Sequence, residues 1–129
     1  MSTIFTKIIN GDIPCEKLAE DDRFFAFLDI RPIHEGHTLV IPKREVDYFF
    51  DLDDDLLGGI MTFAKPIASA LKAVVPCERV GVMVAGLEVP HAHVHLVPIS
   101  DVGQLSFAHA READPTELAD LAEKIRRHL

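Results

Sequence analysis

Three histidines occupy alternate positions in His91-Ala92-His93-Val94-His95-Leu96, and the residues between them are apolar. A period of two belongs to an extended strand, in which successive side chains leave opposite faces. The spacing predicts a strand from Ala92 to Ile99 that turns Ala92, Val94 and Leu96 into a core. His91, His93 and His95 then line the other face, about 6.6 Å apart along the backbone.

The rest of the chain reads as α+β around that strand. Ile4, Phe5, Ile8 and Ile9 recur at helical spacing and stop at Asn10-Gly11, which predicts a short N-terminal helix. Lys17 to Leu28 suits two strands joined by a tight turn at Asp21-Asp22, and His37 to Pro42 and Arg79 to Gly86 add two more. Asp51 to Asp55 supplies the acidic first turn of a long helix. Its apolar face runs through Leu56, Leu57, Ile60, Phe63, Ala64, Ile67, Ala68, Leu71 and Val75, with a kink predicted at Pro66. Asp114-Pro115 opens a C-terminal helix carrying Leu118, Leu121, Ala122, Ile125 and Leu129. Residues 100–113 read as loop. Strands outnumber helices, so the expected architecture is an antiparallel sheet with the long helix packed on one face.

A length of 129 residues with 48% hydrophobic composition suits one domain, residues 1–129. A chain of this size gains by covering an exposed sheet edge, and a homodimer is expected. The net charge of −8, with no cluster of basic residues, argues against a nucleic-acid partner. It leaves room for one phosphate held locally by imidazoles and backbone N–H groups. There is no apolar run of about 18 residues and no secretory signal pattern, so no membrane partner and a cytoplasmic location are expected. Cys15 and Cys77 are too far apart in sequence to form a metal-type pair and read as free thiols.

Three meanings are open for the histidine row. It can be a set of packed histidines without chemistry, although outward strand positions are ordinarily filled by Thr, Lys or Glu. It can be a zinc site in which two imidazoles at i and i+2 join a third such as His37. It can also be a nucleophilic centre acting on phosphorus. Imidazole, with an ordinary pKa near 6.5, attacks at neutral pH without the activating base a serine needs. A second imidazole, kept protonated, would then stabilise phosphate charge or donate to the leaving group.

The run His91-Ala-His93-Val-His95-Leu-Val97 resembles the signature of the histidine triad (HIT) family, in which three histidines alternate with apolar residues. Ile4-Phe5-Thr-Lys7-Ile8-Ile9 with Gly11 and Ile13-Pro14, then Phe27-Leu28-Asp29-Ile30, then Gly36-His37-Thr-Leu-Val-Ile-Pro42-Lys43 extend the likeness over residues 3–99, nearest to the Hint branch. The resemblance implies an α+β fold with a five-stranded antiparallel sheet, commonly doubled in a homodimer. It also implies hydrolysis or transfer of nucleoside monophosphates from purine nucleotide conjugates of AMP or GMP. By the same resemblance His93 is the nucleophile that becomes nucleotidylated and His95 its partner on the phosphate and leaving group. His91 and His37 support them. Asp29 matches a ribose-binding carboxylate, and Phe5, Ile8, Phe27, Leu28 and Ile30 match apolar walls around the base.

Two departures from the family pattern carry expectations of their own. Where many members have an Asn-rich loop and a Gln followed by Ser or Thr, this chain has the shorter Ala85-Gly86-Leu87-Glu88. Backbone N–H groups around Gly86, Glu88 and Val89 are then the expected phosphate contacts, and Glu88 is an anion where a hydroxyl is usual. Some bacterial relatives hold a structural zinc through an N-terminal Cys-x-x-Cys pair. The corresponding residues here are Thr3 and Thr6, poor zinc ligands, so no metal and no cofactor are expected.

Overall fold

A computed structural model describes residues 2–129. Helix α1 spans Ile4–Ile9, strands β1 and β2 span Lys17–Glu20 and Phe24–Leu28, and β3 spans Thr38–Pro42. Helix α2 (Asp54–Val74) leads to β4 (Arg79–Met83) and β5 (Val94–Ile99), and α3 spans Pro115–Arg126. The five strands form one antiparallel sheet in the order β1-β2-β3-β5-β4, the architecture expected from the sequence.

Local chemistry sets the element ends. The β1–β2 turn closes on Asp21, whose Oδ1 accepts the N–H groups of Arg23 at 2.8 Å and Phe24 at 2.7 Å. Helix α2 begins at Asp54, three residues later than the first acidic residue of the run. Leu52 is drawn into the core, Asp51 falls in a separate 3₁₀ turn, and Asp53 becomes the cap by accepting the Leu56 N–H at 2.9 Å. Pro66 lies inside α2, and the helix continues beyond it to Val74. Both Pro66 and Thr62, whose carbonyl loses its intrahelical donor, are exposed. Asp114 caps α3 and Pro115 fills its first turn, as expected.

The period of two divides the sheet into two cores. Phe24, Ala26, Leu28, Val40, Val94 and Leu96 meet α2 through Leu56, Ile60, Ile67 and Leu71. Each large aliphatic buried there contributes about 1.5–3 kcal/mol, so packing rather than helix propensity holds α2 in place. On the opposite face Phe25, Phe27, Leu39 and Ile41 receive Phe5 and Ile8 of α1. Ile33, Val97 and Ile99 form a third cluster with Leu105 and Ala110 of the 100–113 segment, which contains two 3₁₀ turns. Strands β2 and β3 are therefore covered on both faces, which explains their unbroken burial. Gly36, at φ +88°, turns the chain into β3 so close to α2 that a Cβ would stand 3.0 Å from Val75 Cγ2.

Among the described residues no helix is long and apolar enough to cross a membrane. Cys15 and Cys77 are both free.

Candidate active site

The site is built at the start of β5 and in the segment before it. The His91 N–H donates to the Val89 carbonyl at 2.8 Å and the Ala92 N–H to the Val46 carbonyl at 2.6 Å, so the chain enters the ladder only at Val94. This corrects the expectation of one strand from Ala92: only His95 of the three is in the ladder, opposite Leu39 and Met83. Likewise β4 ends at Met83, short of Gly86, which has φ +77°. The three imidazoles still gather on the α1 side. The Phe5 ring meets His91 edge-on at 5.6 Å and His93 at 5.0 Å, and the His93 and His95 rings are 4.9 Å apart.

Hydrogen bonds determine which ring nitrogen carries the proton. The Ile33 N–H donates to His37 Nδ1 at 3.0 Å, so in neutral His37 the proton is on Nε2. That nitrogen lies 2.9 Å from His95 Nδ1 and donates to it, which puts the proton of His95 on Nε2. His93 Nδ1 donates to the His91 carbonyl at 2.6 Å and leaves Nε2 with a free lone pair. His91 Nε2 donates to the Pro42 carbonyl at 2.8 Å, so Nδ1 accepts from the Thr3 hydroxyl at 2.8 Å.

Burial sets the charge. Desolvation, with a smaller push from neighbouring imidazoles, lowers the pKa of His37 to about 4 and that of His95 to about 3. His91 is lowered as well, chiefly by burial. The expected protonated partner imidazole is therefore corrected. His95 is a neutral donor at physiological pH, because the desolvation of a cation outweighs the Asp29 carboxylate that lies within 4.8 Å. His37 and His91 are sealed at 1% and 0%, whereas His93 and His95 keep 4% and 3%. All four are buried, and the latter pair keeps slightly more surface.

The pattern of the HIT domain family matches residues 10–102, which include the histidine run. The chain belongs to the HIT family. It is 42% identical over 103 residues to an adenosine 5'-monophosphoramidase of Schizosaccharomyces pombe, covering 76% of this chain and 74% of the relative. It is 37% identical over 129 residues to a protein of the same name from Saccharomyces cerevisiae, with 95% and 79% covered. A HIT-like protein of Bartonella henselae has the same fold, with a TM-score of 0.84, 34% identity and 99% and 97% coverage. A zinc-bound histidine triad protein of Mycobacterium smegmatis also has a TM-score of 0.84, with 30% identity and 99% and 93% coverage.

In this HIT protein the remaining predicted residues divide. Phe5, Ile8 and Phe27 are packed together on the histidine side with partly buried Val89 beside them. Leu28 is not a wall of that site: the strand period turns it into the α2 core, where it is 1% exposed. Ile30, just past β2, is 65% exposed and free to meet a ligand. Asp29 sits at the rim, its Oδ1 accepting the Arg31 N–H at 2.9 Å and its Oδ2 lying 3.7 Å from His37 Nε2. Burial raises its pKa, and the charge of Glu88 adds to this. Gly86 is half-buried and Glu88 exposed in the loop between β4 and β5.

Asp29, His37 and His95 offer ligand atoms within 4.8 Å of one another, the one such group among the described residues. A cation there would need the His37 Nε2 lone pair. The Ile33 N–H holds the proton on that nitrogen, so the trio is arranged as a hydrogen-bond relay rather than as a metal cradle. A cavity of about 560 Å³, lined by Pro32, Gly36, Leu118 and Leu121 among others, lies beside α3 and touches no histidine.

Two participants, Glu45 and Phe107, had no signal in the linear sequence, and Thr3 was noted there only as a poor zinc ligand. Thr3 and Glu45 join the His91 side through hydrogen bonds. Phe107, from the segment read as loop, places its ring edge-on to His95 at 5.2 Å.

Proposed function

We propose that this HIT protein hydrolyses nucleoside phosphoramidates, or related purine nucleotide conjugates, through a nucleotidyl-His93 intermediate. The observation that carries the reading is the His93 tautomer: with Nδ1 committed to the His91 carbonyl, Nε2 has its lone pair free beside a neutral donor, His95. The adenosine 5'-monophosphoramidases among its relatives favour this substrate class.

In the first step His93 Nε2 bonds to the α-phosphorus as the P–N bond to the leaving amine breaks. The bond pair departs on the amine nitrogen, which takes a proton from solvent. In the second, a water oxygen bonds to phosphorus, the pair of the P–Nε2 bond returns to His93, and the water's proton is released. His95 Nε2–H serves both steps as a fixed hydrogen-bond donor to the charge that develops, a role that requires no imidazolium. Asp29 receives the ribose hydroxyls, and Phe5, Ile8, Phe27 and Ile30 flank the base. Strand β4 lies at the sheet edge and carries exposed Val82, with exposed Val84 just past its end, which supports a homodimer formed along that edge.

The shortened Ala85–Glu88 loop favours a second reading, a nucleotide-binding protein with weak catalysis. Mass spectrometry after brief exposure to a panel of adenosine and guanosine phosphoramidates separates the two. A mass increase of one nucleotide that maps to His93 and is lost in His93→Asn is expected. Binding without any adduct in the wild type would select the second reading.

A further inference from the structure

We propose that Thr3, Thr6 and Glu45 form a positioning clasp that holds His91, and through its carbonyl His93, in the orientation required for attack; this deepens the reading above and rests on it. None of the three belongs to the histidine run, and Thr3 is 88 residues from His91.

The clasp is a continuous set of hydrogen bonds. Glu45 Oε1 accepts the Thr6 hydroxyl at 2.6 Å and the Thr3 backbone N–H at 2.8 Å. Thr3 Oγ1 accepts the Thr6 N–H at 3.1 Å, capping α1, and donates its own proton to His91 Nδ1 at 2.8 Å. The bonds to Glu45 hold its carboxyl below the usual carboxylate range, so it stays an acceptor. On its other side His91 is tied to the same stretch of chain, through the Pro42 carbonyl at Nε2 and the Val46 carbonyl at the next backbone N–H. Residues 42–46 thus grip His91 directly and through α1.

This arrangement decides a proton as well as a position. With Nε2 facing a carbonyl, only a donor at Nδ1 keeps His91 neutral and singly protonated, and the Thr3 hydroxyl is that donor. Without it Nδ1 is a buried acceptor with no partner, and the ring is free to turn or to take up a proton. Where loss of the ring's anchor also shifts the His91 backbone, it carries the carbonyl that keeps the proton of His93 on Nδ1. Since α1 also brings Phe5 against both rings, docking of α1 and readiness of the nucleophile are a single event.

The test uses Thr3→Val, Thr3→Ser, Glu45→Ala and Glu45→Gln in the full chain. Helical content is checked by circular dichroism, and long-range ¹H–¹⁵N correlation reports the tautomers of His91 and His93. Thr3→Val is expected to shift the His91 Nδ1 resonance, mix the His93 tautomers and lower kcat about tenfold, with KM within about twofold. Thr3→Ser, which keeps cap and donor, should restore both readouts. Glu45→Ala should fall between them, and Glu45→Gln should stay near wild type. Unchanged His91 and His93 resonances in folded Thr3→Val would overturn the clasp. The spectra require no substrate, so they judge it even if the wild type forms no nucleotidyl adduct, a result that would count only against the hydrolase reading.

Discussion

His37 Nε2 lies 2.9 Å from His95 Nδ1 although the two residues are 58 positions apart in the chain, and both rings are buried, with Asp29 Oδ2 3.7 Å from His37 Nε2. Desolvation favours the pair as two neutral imidazoles, which makes the fold itself sensitive to pH. Unfolded, each would titrate near 6.5; folded, they titrate at about 4 and about 3. Between those values the unfolded chain binds more protons, so the stabilisation is fully present above about 6.5 and is lost as pH falls through 4 and 3. Urea denaturation should show a loss on the order of a few kcal/mol between about pH 7 and pH 4. His37→Gln, with one titrating ring fewer, should flatten that profile; an undiminished slope would place the acid sensitivity elsewhere.

Asp29 is positioned by the Arg31 N–H on one oxygen, and in the proposed reading the other receives the sugar hydroxyls. Asn in its place keeps the size but loses an acceptor and adds a donor. Asp29→Asn should reduce the preference for ribonucleotide over 2'-deoxyribonucleotide substrates by about tenfold in kcat/KM. A preserved ratio would move the sugar site away from β2.

Glu88 is exposed in the loop before the histidine run, and its charge helps to raise the pKa of Asp29. An anion in that position favours leaving groups that carry positive charge and disfavours a second phosphate. For an exposed carboxylate the selectivity should be about threefold after screening. The check is kcat/KM for an amine-linked nucleotide against a dinucleoside polyphosphate, in wild type and in Glu88→Ser. An unchanged ratio in the serine variant would remove Glu88 from leaving-group selection.

Alternation and local chemistry made much of this protein legible before any coordinates. The period of two in residues 91–96 placed Ala92, Val94 and Leu96 in the core, where they are found, and the caps at Asp53 and Asp114 fall within the acidic and Asp-Pro signals that predict them. These are short-range effects, written within a few residues. The same alternation correctly applied to β2 would have separated Phe27 from Leu28, which the family resemblance alone grouped together. Only the tertiary structure decided the charge and tautomer of each imidazole. Those depend on desolvation and on single donors such as the Ile33 N–H and the Thr3 hydroxyl, the latter brought to its ring from the far end of the chain. It likewise decided that Glu45 and Phe107 belong to the site, because a hydrogen bond or a ring contact across tens of residues leaves no periodicity in the sequence.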